Sequence, residues 1–512
     1  MSSVSRVRTA ALVGVDGVPV EVEVRISSQL PRGEVLGLPE AAVRESAARV
    51  RAALAAAGEK FPDRRVTVHL APAELRKSGA ALDLPIAVAL LAAAGQLEHG
   101  SLAGTAFVGE LALDGRLRPV RGALALALAV RDAGCATLFA PRANAAEAAL
   151  AARLDVRAAG DLGAVLAHLR GGDALPAALP ADPANPDAAP PDLADVRGQE
   201  VAKRGLEIAA AGGHGALLIG APGAGKTMLA RRMPGFLPPL SREEAIEVTR
   251  IHGAVAPLDA PLASRRPFRG PHHTASVAGL IGGGRPPQPG EVSLAHRGVL
   301  FLDELPEFER RALESLRQVL EDHRVVLVRA GRHVTFPADF QLVAAANPCP
   351  CGWLGSGRRD CRCDEGQIAR YRSRISGPLL DRIDLHLRIR PVPWAELDAE
   401  PAPDASSRAA RERVTAARGR QARRGVIANG RLPDVNLDAQ VDATAEARAL
   451  LGRAVDGFGL SARAARRVLR VARTIADLAE EERTDARAVA EALSFRGDAA
   501  PGRRAAVHTT EN

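Results

Sequence analysis

Lysine is almost missing from this chain, and aromatic side chains are nearly as rare. Of 68 lysines and arginines only Lys60, Lys77, Lys203 and Lys226 are lysine, and aromatics make up 3% of residues, with one tyrosine (Tyr371) and two tryptophans (Trp353, Trp394). A platform that stacks single-stranded bases needs several aromatics on one surface. A nucleic-acid partner would therefore be met mainly by arginines on phosphates, a mode tolerant of sequence and sensitive to salt. Cysteine is also scarce: there are five, four of them in one cluster, which does not resemble an extracellular disulfide framework. The longest apolar stretch, near Pro85–Gly95, is too short to span a bilayer. No secretory signal is legible, because the N-terminus runs into VPVEVEVR (Val18–Arg25), an alternating strand pattern. Tandem repeats are absent. The expectation is a cytoplasmic protein without membrane association.

What is present fits a soluble globular chain: 512 residues, 47% hydrophobic and 25% charged, a length that suits about three domains. The net charge of +8 suggests a polyanionic partner, the alternative being a bias of an Arg-rich composition. A Pro/Ala/Asp-rich segment, Gly171–Asp192, reads as a linker, and a second polar, proline-bearing stretch, Pro391–Ser407, marks another boundary. From Arg408 onward the chain is Ala/Arg/Leu-rich with helical period, ending in a polar tail.

The stretch GAPGAGKT (Gly220, Ala221, Pro222, Gly223, Ala224, Gly225, Lys226, Thr227) follows an apolar strand-like run and precedes a helix-like one. That is the context of a P-loop. Glycine lets successive backbone N–H groups turn toward phosphate oxygens, and the helix N-terminus adds its partial positive charge. Lys226 would reach the β- and γ-phosphates of ATP and the Thr227 hydroxyl would ligate Mg²⁺. In a chain that otherwise uses arginine, a lysine in this slot carries weight. Downstream, GVLFLDELPEF (Gly298–Phe308) is an apolar strand ending in Asp303 and Glu304, suited to hold Mg²⁺ and to polarise the attacking water respectively. The next strand, QLVAAAN, ends in Asn347, a polar group in position to orient that water. Arg382, between two aspartates in LLDRIDLHL, reads as an arginine projecting outward into a neighbouring subunit's site, against the alternative of a salt-bridged surface arginine.

Four cysteines, Cys349, Cys351, Cys361 and Cys363, form two tight pairs that could surround one tetrahedral Zn²⁺, with Arg358 and Arg359 helping to lower the thiol pKa values; redox-active or unligated thiols are the alternatives, since C-x-C is tighter than the usual C-x₂-C. Cys135, among apolar residues, reads as core packing. The adjacent His272 and His273 have no second ligand set of matching spacing, which points to hydrogen bonding rather than metal. A hairpin is legible at Val325–Phe336, with Arg329 and Arg332 flanking an Ala-Gly turn; they are either DNA-backbone contacts or solvated tip residues.

Taken together, DVRGQEVAKRGLEIAAAGGHGALLIGAPGAGKTMLARRMPG, RPFRGPHHTASVAGLIGGG, PGEVSLAHRGVLFLDELPEFER, ANPCPCG, SGPLLDRIDLHL and LSARAARRVLRVARTIADL resemble the YifB/ComM family of magnesium-chelatase-like AAA+ ATPases, over nearly the whole chain. The resemblance implies an α/β protein: a Lon-protease-like α+β domain (1–170), a linker (171–192), an AAA+ P-loop core (193–392), a linker (393–407), a helical lid domain (408–498) and a polar tail (499–512). It implies a hexameric DNA motor, in ComM members a branch-migration helicase of natural transformation; a magnesium-chelatase-like motor remodelling a protein partner is the alternative. By the same resemblance Asn347 is sensor 1, Arg382 the arginine finger and Arg463 the sensor 2 arginine, with Arg466 and Arg467 close enough to compete. The insert at about 265–296 looks like a projecting helix-2 hairpin facing, with Val325–Phe336, the pore of a ring. GLPEAAVRESAARVRAAL and ALDLPIAVALLAAAG resemble the Lon proteolytic fold, but KSGAALD puts Ala81 where the serine would be and RPVRGALAL puts Leu124 at the lysine position. Neither can act as nucleophile or base, and Ser78 beside Lys77 has no evident second lysine, so no peptidase activity is expected.

Overall fold

The computed structural model describes residues 4–30, 33–37, 43, 45–75, 77, 81–182, 191–329, 332–400 and 405–496, with only the backbone at 99, 329 and 332. The N-terminal part is a seven-stranded mixed sheet. Its order is Gly33–Leu36, Arg65–Ala71, Asp16–Ser27, Val4–Val13, Thr105–Phe107, Thr137–Pro141, Asp155–Ala159. The first two strands of the chain pair antiparallel, Val7 opposite Val22, and the alternating pattern of the sequence puts Val20, Val22 and Val24 in the core. The apolar stretch near Pro85 is the helix Asp83–Ala93, buried along its whole length against those strands. Its one charge, Asp83, accepts from Arg49 Nε at 2.7 Å, which satisfies a carboxylate that burial would otherwise penalise. Among the described residues no helix is long and apolar enough to cross a membrane.

The central part is a five-stranded, all-parallel sheet in the order Phe268–Arg269, Val299–Leu302, Gln341–Ala346, Ala216–Gly220, Leu385–Ile389. The inner strands Val299–Leu302 and Gln341–Ala346 are buried at every position, as strands enclosed on both faces are, whereas the edge strand Leu385–Ile389 alternates, with Arg388 exposed. The strand before the P-loop lies between the strands that lead to Asn347 and away from Arg382, while the strand ending at Asp303 is one place removed. Four C-terminal helices, Ser407–Arg423, Ala445–Phe458, Ala462–Leu478 and Ala486–Ser494, start at Ser406, Thr444, Ser461 and Asp485, each accepting from the amide three residues on. Their apolar faces join Leu206, Leu218 and Phe236 in one core.

The N-terminal sheet is seated on this core. Gly122 N–H donates to Gly253 O at 2.7 Å, and Arg250 pairs with Asp16 at 3.1 Å. Gly14, in the left-handed region at φ 64°, turns the first hairpin so closely onto the second that a Cβ there would fall 2.7 Å from Val334 Cγ1.

Two segments differ from their sequence reading, and a third keeps it. Part of the proline-rich 171–192 stretch is not free: Ala178 N–H donates to Val156 O at 2.7 Å and Leu175 is buried, so the chain lies along the edge strand Asp155–Ala159 before leaving it; residues 183–190 are outside the described set. The 265–296 insert projects less than a full hairpin. Phe268–Arg269 belongs to the central sheet, and only Gly282–Gly283 pairs with Gln288–Pro289. The hairpin at Val325–Phe336 does form, in register from Arg324–Pro337 to Arg329–Arg332; its Ala-Gly turn and the two arginine side chains lie outside the described residues.

Candidate nucleotide-binding site

Residues 221–225 leave the sheet at Gly220 and enter the helix Lys226–Phe236 through Gly223 (φ 73°) and Gly225 (φ 96°), conformations that side chains resist. The Lys226 ammonium is bent back under the loop. It donates to Gly220 O at 2.6 Å, to Ala221 O at 3.0 Å and to Asn347 Oδ1 at 3.0 Å. Burial lowers its pKa, opposed by the charges of Asp303 and Glu304. The Thr227 hydroxyl donates to Asp303 Oδ2 at 2.6 Å, and the other carboxylate oxygen of Asp303 accepts from the Glu304 N–H at 2.9 Å. Four residues separated by up to 121 positions, Lys226, Thr227, Asp303 and Asn347, thus converge at the C-terminal ends of neighbouring parallel strands, where α/β sheets bind ligands. A hydroxyl and a carboxylate within hydrogen-bond reach form an all-oxygen donor set of the kind that Mg²⁺ takes beside substrate phosphates.

Glu304 occupies the left-handed region, φ 52°, rare for a side chain that large. That turn presents its carboxylate to His273, whose Nδ1 lies 3.3 Å from Glu304 Oε2, with the His272 ring against it, tilted by 34° at 4.1 Å between centroids. His272 Nδ1 meets the Thr274 hydroxyl at 2.9 Å, the hydrogen bonding read for this pair; the approach of His273 to a carboxylate of the site is a neighbour that sequence spacing does not reveal.

Tyr371 is a second residue missed. It is buried on the helix Glu365–Arg372, its hydroxyl takes a hydrogen bond from the Asn347 backbone, and burial pushes its pKa up to about 12. The four cysteines lie just ahead of that helix. Their sulfurs are all within 4.8 Å of one another, with Cys349–Cys351 at 3.4 Å, Cys349–Cys361 at 3.6 Å and Cys351–Cys361 at 3.7 Å. The two arginines expected to lower their pKa values are engaged elsewhere: Arg358 donates to Val392 O at 3.1 Å and Arg359 lies over the Trp353 ring at 4.8 Å. Backbone hydrogen bonds from Trp353 and Arg362 draw Cys351 down to about 6. Cys363, despite a backbone hydrogen bond from Cys351, is pushed up to about 12 by burial and the adjoining sulfurs. Four thiolates this close repel, so they cannot all ionise without a cation. Cys135 is core, as read.

The arginines lie apart from the P-loop. Arg382 does not project outward in the protomer: its side chain is 9% exposed, ion-paired with Glu321 and donating to Pro378 O at 2.7 Å. The physical reason is the acidic C-terminal turn of the helix Arg310–Asp322, which attracts the guanidinium. Glu321 also lines a surface cavity of about 400 Å³ with Arg463, Arg466, Arg467, Arg470 and Asp434. Arg466 and Arg470 pair with Asp434, and Arg467 pairs with buried Asp384 at 2.6 Å. Arg463 alone of the four has no ion pair among the described residues. In the N-terminal part, Leu124 is fully buried and donates its N–H to Glu147, while the buried Lys77 ammonium is held by the carbonyls of Gly37, Leu70 and Pro72. Ser78 is outside the described residues.

Three family models match: magnesium chelatase, subunit ChlI, over residues 192–397; subunit ChlI of Mg-chelatase over 22–144; and the ChlI C-terminal region over 404–496. YifB of Salmonella typhimurium and YifB of Escherichia coli are each 46% identical to this chain over 495 residues, 96% of it and 97% of theirs. The competence protein ComM of Haemophilus influenzae is 42% identical over 500 residues, 96% of this chain and 97% of its own length.

Proposed function

The chain belongs to the YifB/ComM family of magnesium-chelatase-like proteins, and from that premise we propose that it is an ATP-hydrolysing AAA+ motor, assembled as a six-membered ring, that moves on branched or duplex DNA without regard to sequence. Membership of the family supports ATP and Mg²⁺ as its cofactors. The observation that carries the reading is the convergence of Lys226, Thr227, Asp303 and Asn347 on one another at the C-terminal ends of parallel strands. Binding requires little more than a change of partners: Lys226 gives up its carbonyl and amide acceptors for phosphate oxygens, and the backbone N–H groups of Gly223 to Thr227 surround the anion. Mg²⁺, held by Thr227 and Asp303, would neutralise charge on the phosphates. Glu304 takes the proton of the attacking water, aimed by its left-handed turn and the His273 contact. Asn347 orients that water. Arg382 and Arg463 reach a neighbouring protomer's phosphates, which requires Arg382 to exchange Glu321 for the anion. Arg329 and Arg332 meet the DNA backbone in the ring pore.

The finer assignments go with this reading. Residues 1–170 are a Lon-like domain without peptidase chemistry, since Leu124 and Ala81 stand where the lysine and serine would be and Lys77 is held by carbonyls. Residues 193–392 are the AAA+ core, 408–498 the lid, and 171–192 and 393–407 the linkers. The four cysteines hold structural Zn²⁺. The protein acts in the cytoplasm, in branch migration during recombination or uptake of DNA; the name of the Haemophilus relative, a competence protein, supports that direction. The match of residues 192–397 to a magnesium chelatase subunit favours a second reading, a motor that remodels a porphyrin-loading protein.

The deciding experiment measures ATP turnover and strand exchange on a four-way DNA junction. Turnover stimulated by the junction, and lost with retained ATP binding in Glu304→Gln, is the expected result. Indifference to DNA at every salt concentration, with stimulation by a porphyrin-loading partner instead, would favour the second reading.

A further inference from the structure

The cysteine cluster lies against the nucleotide site. The loop that carries it begins two residues after Asn347, and Gly352 closes its first turn by donating its N–H to Cys349 O at 3.0 Å. Gly352 sits at φ 82°, where a side chain is disfavoured, and a Cβ there would lie 2.6 Å from Pro222 Cδ and 3.8 Å from Asn347 Cγ. The loop backbone thus rests directly on the P-loop. At the far end, Asp364 follows Cys363 and caps the helix Glu365–Arg372, accepting from Gln367 N–H at 2.7 Å; that helix brings Tyr371 back to the Asn347 backbone. The cysteine loop therefore meets the nucleotide site at both ends, Gly352 against Pro222 ahead of the cluster's closure and Tyr371 at the Asn347 backbone beyond it.

The sulfur spacing says what would lock the grip. A zinc ion with Zn–S bonds of about 2.3 Å has tetrahedral S···S edges of about 3.8 Å. The three sulfur pairs at 3.4, 3.6 and 3.7 Å approach that figure, and all are much longer than the roughly 2.05 Å of a disulfide. The fourth sulfur, Cys363, accepts from the Cys351 N–H at 3.4 Å, the amide-to-thiolate bond that orients a metal ligand.

We infer that the cluster is a metal clamp on the nucleotide site: zinc held by Cys349, Cys351, Cys361 and Cys363 fixes Gly352 against Pro222 and Tyr371 against Asn347, so that metal occupancy and nucleotide binding stabilise each other. The inference rests on the reading of GAPGAGKT as an ATP site and of the cysteines as a zinc site. Coupling of this kind is reciprocal: whatever zinc adds to nucleotide affinity, nucleotide adds to zinc retention. Tyr371 is a positioning residue and touches no reacting atom.

The test uses the full-length protein and reads zinc release rather than turnover. Zinc is quantified in the purified chain, and its release to a chromogenic chelator is timed with and without a non-hydrolysable ATP analogue whose binding is measured separately by fluorescence. In a Trp394→Phe background, Trp353 is the only tryptophan, and it reports the loop directly. About one zinc per chain is expected, released about fivefold or more slowly when the analogue is bound, with a change in Trp353 emission on release that re-added zinc reverses. Tyr371→Phe keeps its zinc but loses most of the analogue's protection. Absence of zinc, or stoichiometric zinc released at the same rate with and without bound analogue, overturns the inference. An analogue that does not bind at all, in a protein that holds its zinc, overturns the ATP-site reading instead and the coupling with it. Because release from the parent chain gives the answer, failure of a cysteine variant to fold does not affect it.

Discussion

Replacing Asn347 by alanine separates two roles that its amide could have. In the protomer Asn347 Oδ1 accepts from the buried Lys226 ammonium at 3.0 Å, one of three acceptors of that charge. A hydrogen bond to a charged group contributes about 1.5–3 kcal/mol. When ATP arrives, Lys226 must exchange those acceptors for phosphate oxygens, so the bond to Asn347 opposes binding. If Asn347 then acts on the attacking water, its contribution is made only in the transition state. At about 1.4 kcal/mol per tenfold, deletion should lower kcat by about 10- to 150-fold while ATP affinity stays the same or improves. Fluorescent-nucleotide binding and single-turnover hydrolysis measure the two quantities separately. The opposite result, affinity weakened tenfold or more with kcat intact, would mean that Asn347 contributes uniform binding only, and the assignment of this strand end to the reaction would fail.

Asp384 is buried between Arg467 at 2.6 Å, His214 at 2.9 Å and Arg496, joining the central sheet to the C-terminal helices. Asp384→Asn leaves buried cations uncompensated and should cost about 3–5 kcal/mol in urea unfolding. Those partners, against burial, hold the Asp384 carboxyl below its ordinary range. The stability it contributes is therefore complete above the unfolded value near 3.9 and is lost as pH falls through the lower folded value; the parent should lose it on acidification below about pH 4 and the Asn variant should not. Arg382→Ala should reduce turnover of assembled rings by about 10³-fold or more with ATP binding kept, and mixing it with Lys226→Ala protomers should restore part of the rate if the arginine acts across a boundary; unaltered turnover refutes the role. Arg329→Ala with Arg332→Ala should weaken DNA binding uniformly across sequences and shallow the log–log salt dependence by about two, and a retained slope places the DNA elsewhere.

The P-loop, the acidic strand end and the terminal asparagine were legible because each is a local pattern: an apolar run, a turn chemistry and a polar group at the point where a parallel strand leaves the core. The alternating Val18–Arg25 strand and the Val325–Phe336 hairpin followed from the same period-two rule. The insert before Val299 was misjudged because Gly-Pro density marks irregular backbone without saying how much of it pairs. Arg382 reads in the sequence as projecting outward, with a salt bridge only the alternative, because the ion partner that captures it, Glu321, is 61 residues away. Tyr371 carried no signal beyond being the single tyrosine.

Sequence alone determined the strand and helix around the P-loop, the alternating N-terminal strand, the Val325–Phe336 hairpin and which strand ends carry charge, because hydrophobic period and turn residues act over a few positions. It also determined the family, through motifs too specific to arise by composition. Only the tertiary structure decided which ends meet: His273 with Glu304, Gly352 with Pro222, Tyr371 with Asn347, Arg382 with Glu321. Such meetings depend on the order in which parallel strands stack and on how closely a loop can approach a loop. Neither is written within the few residues on either side of a position.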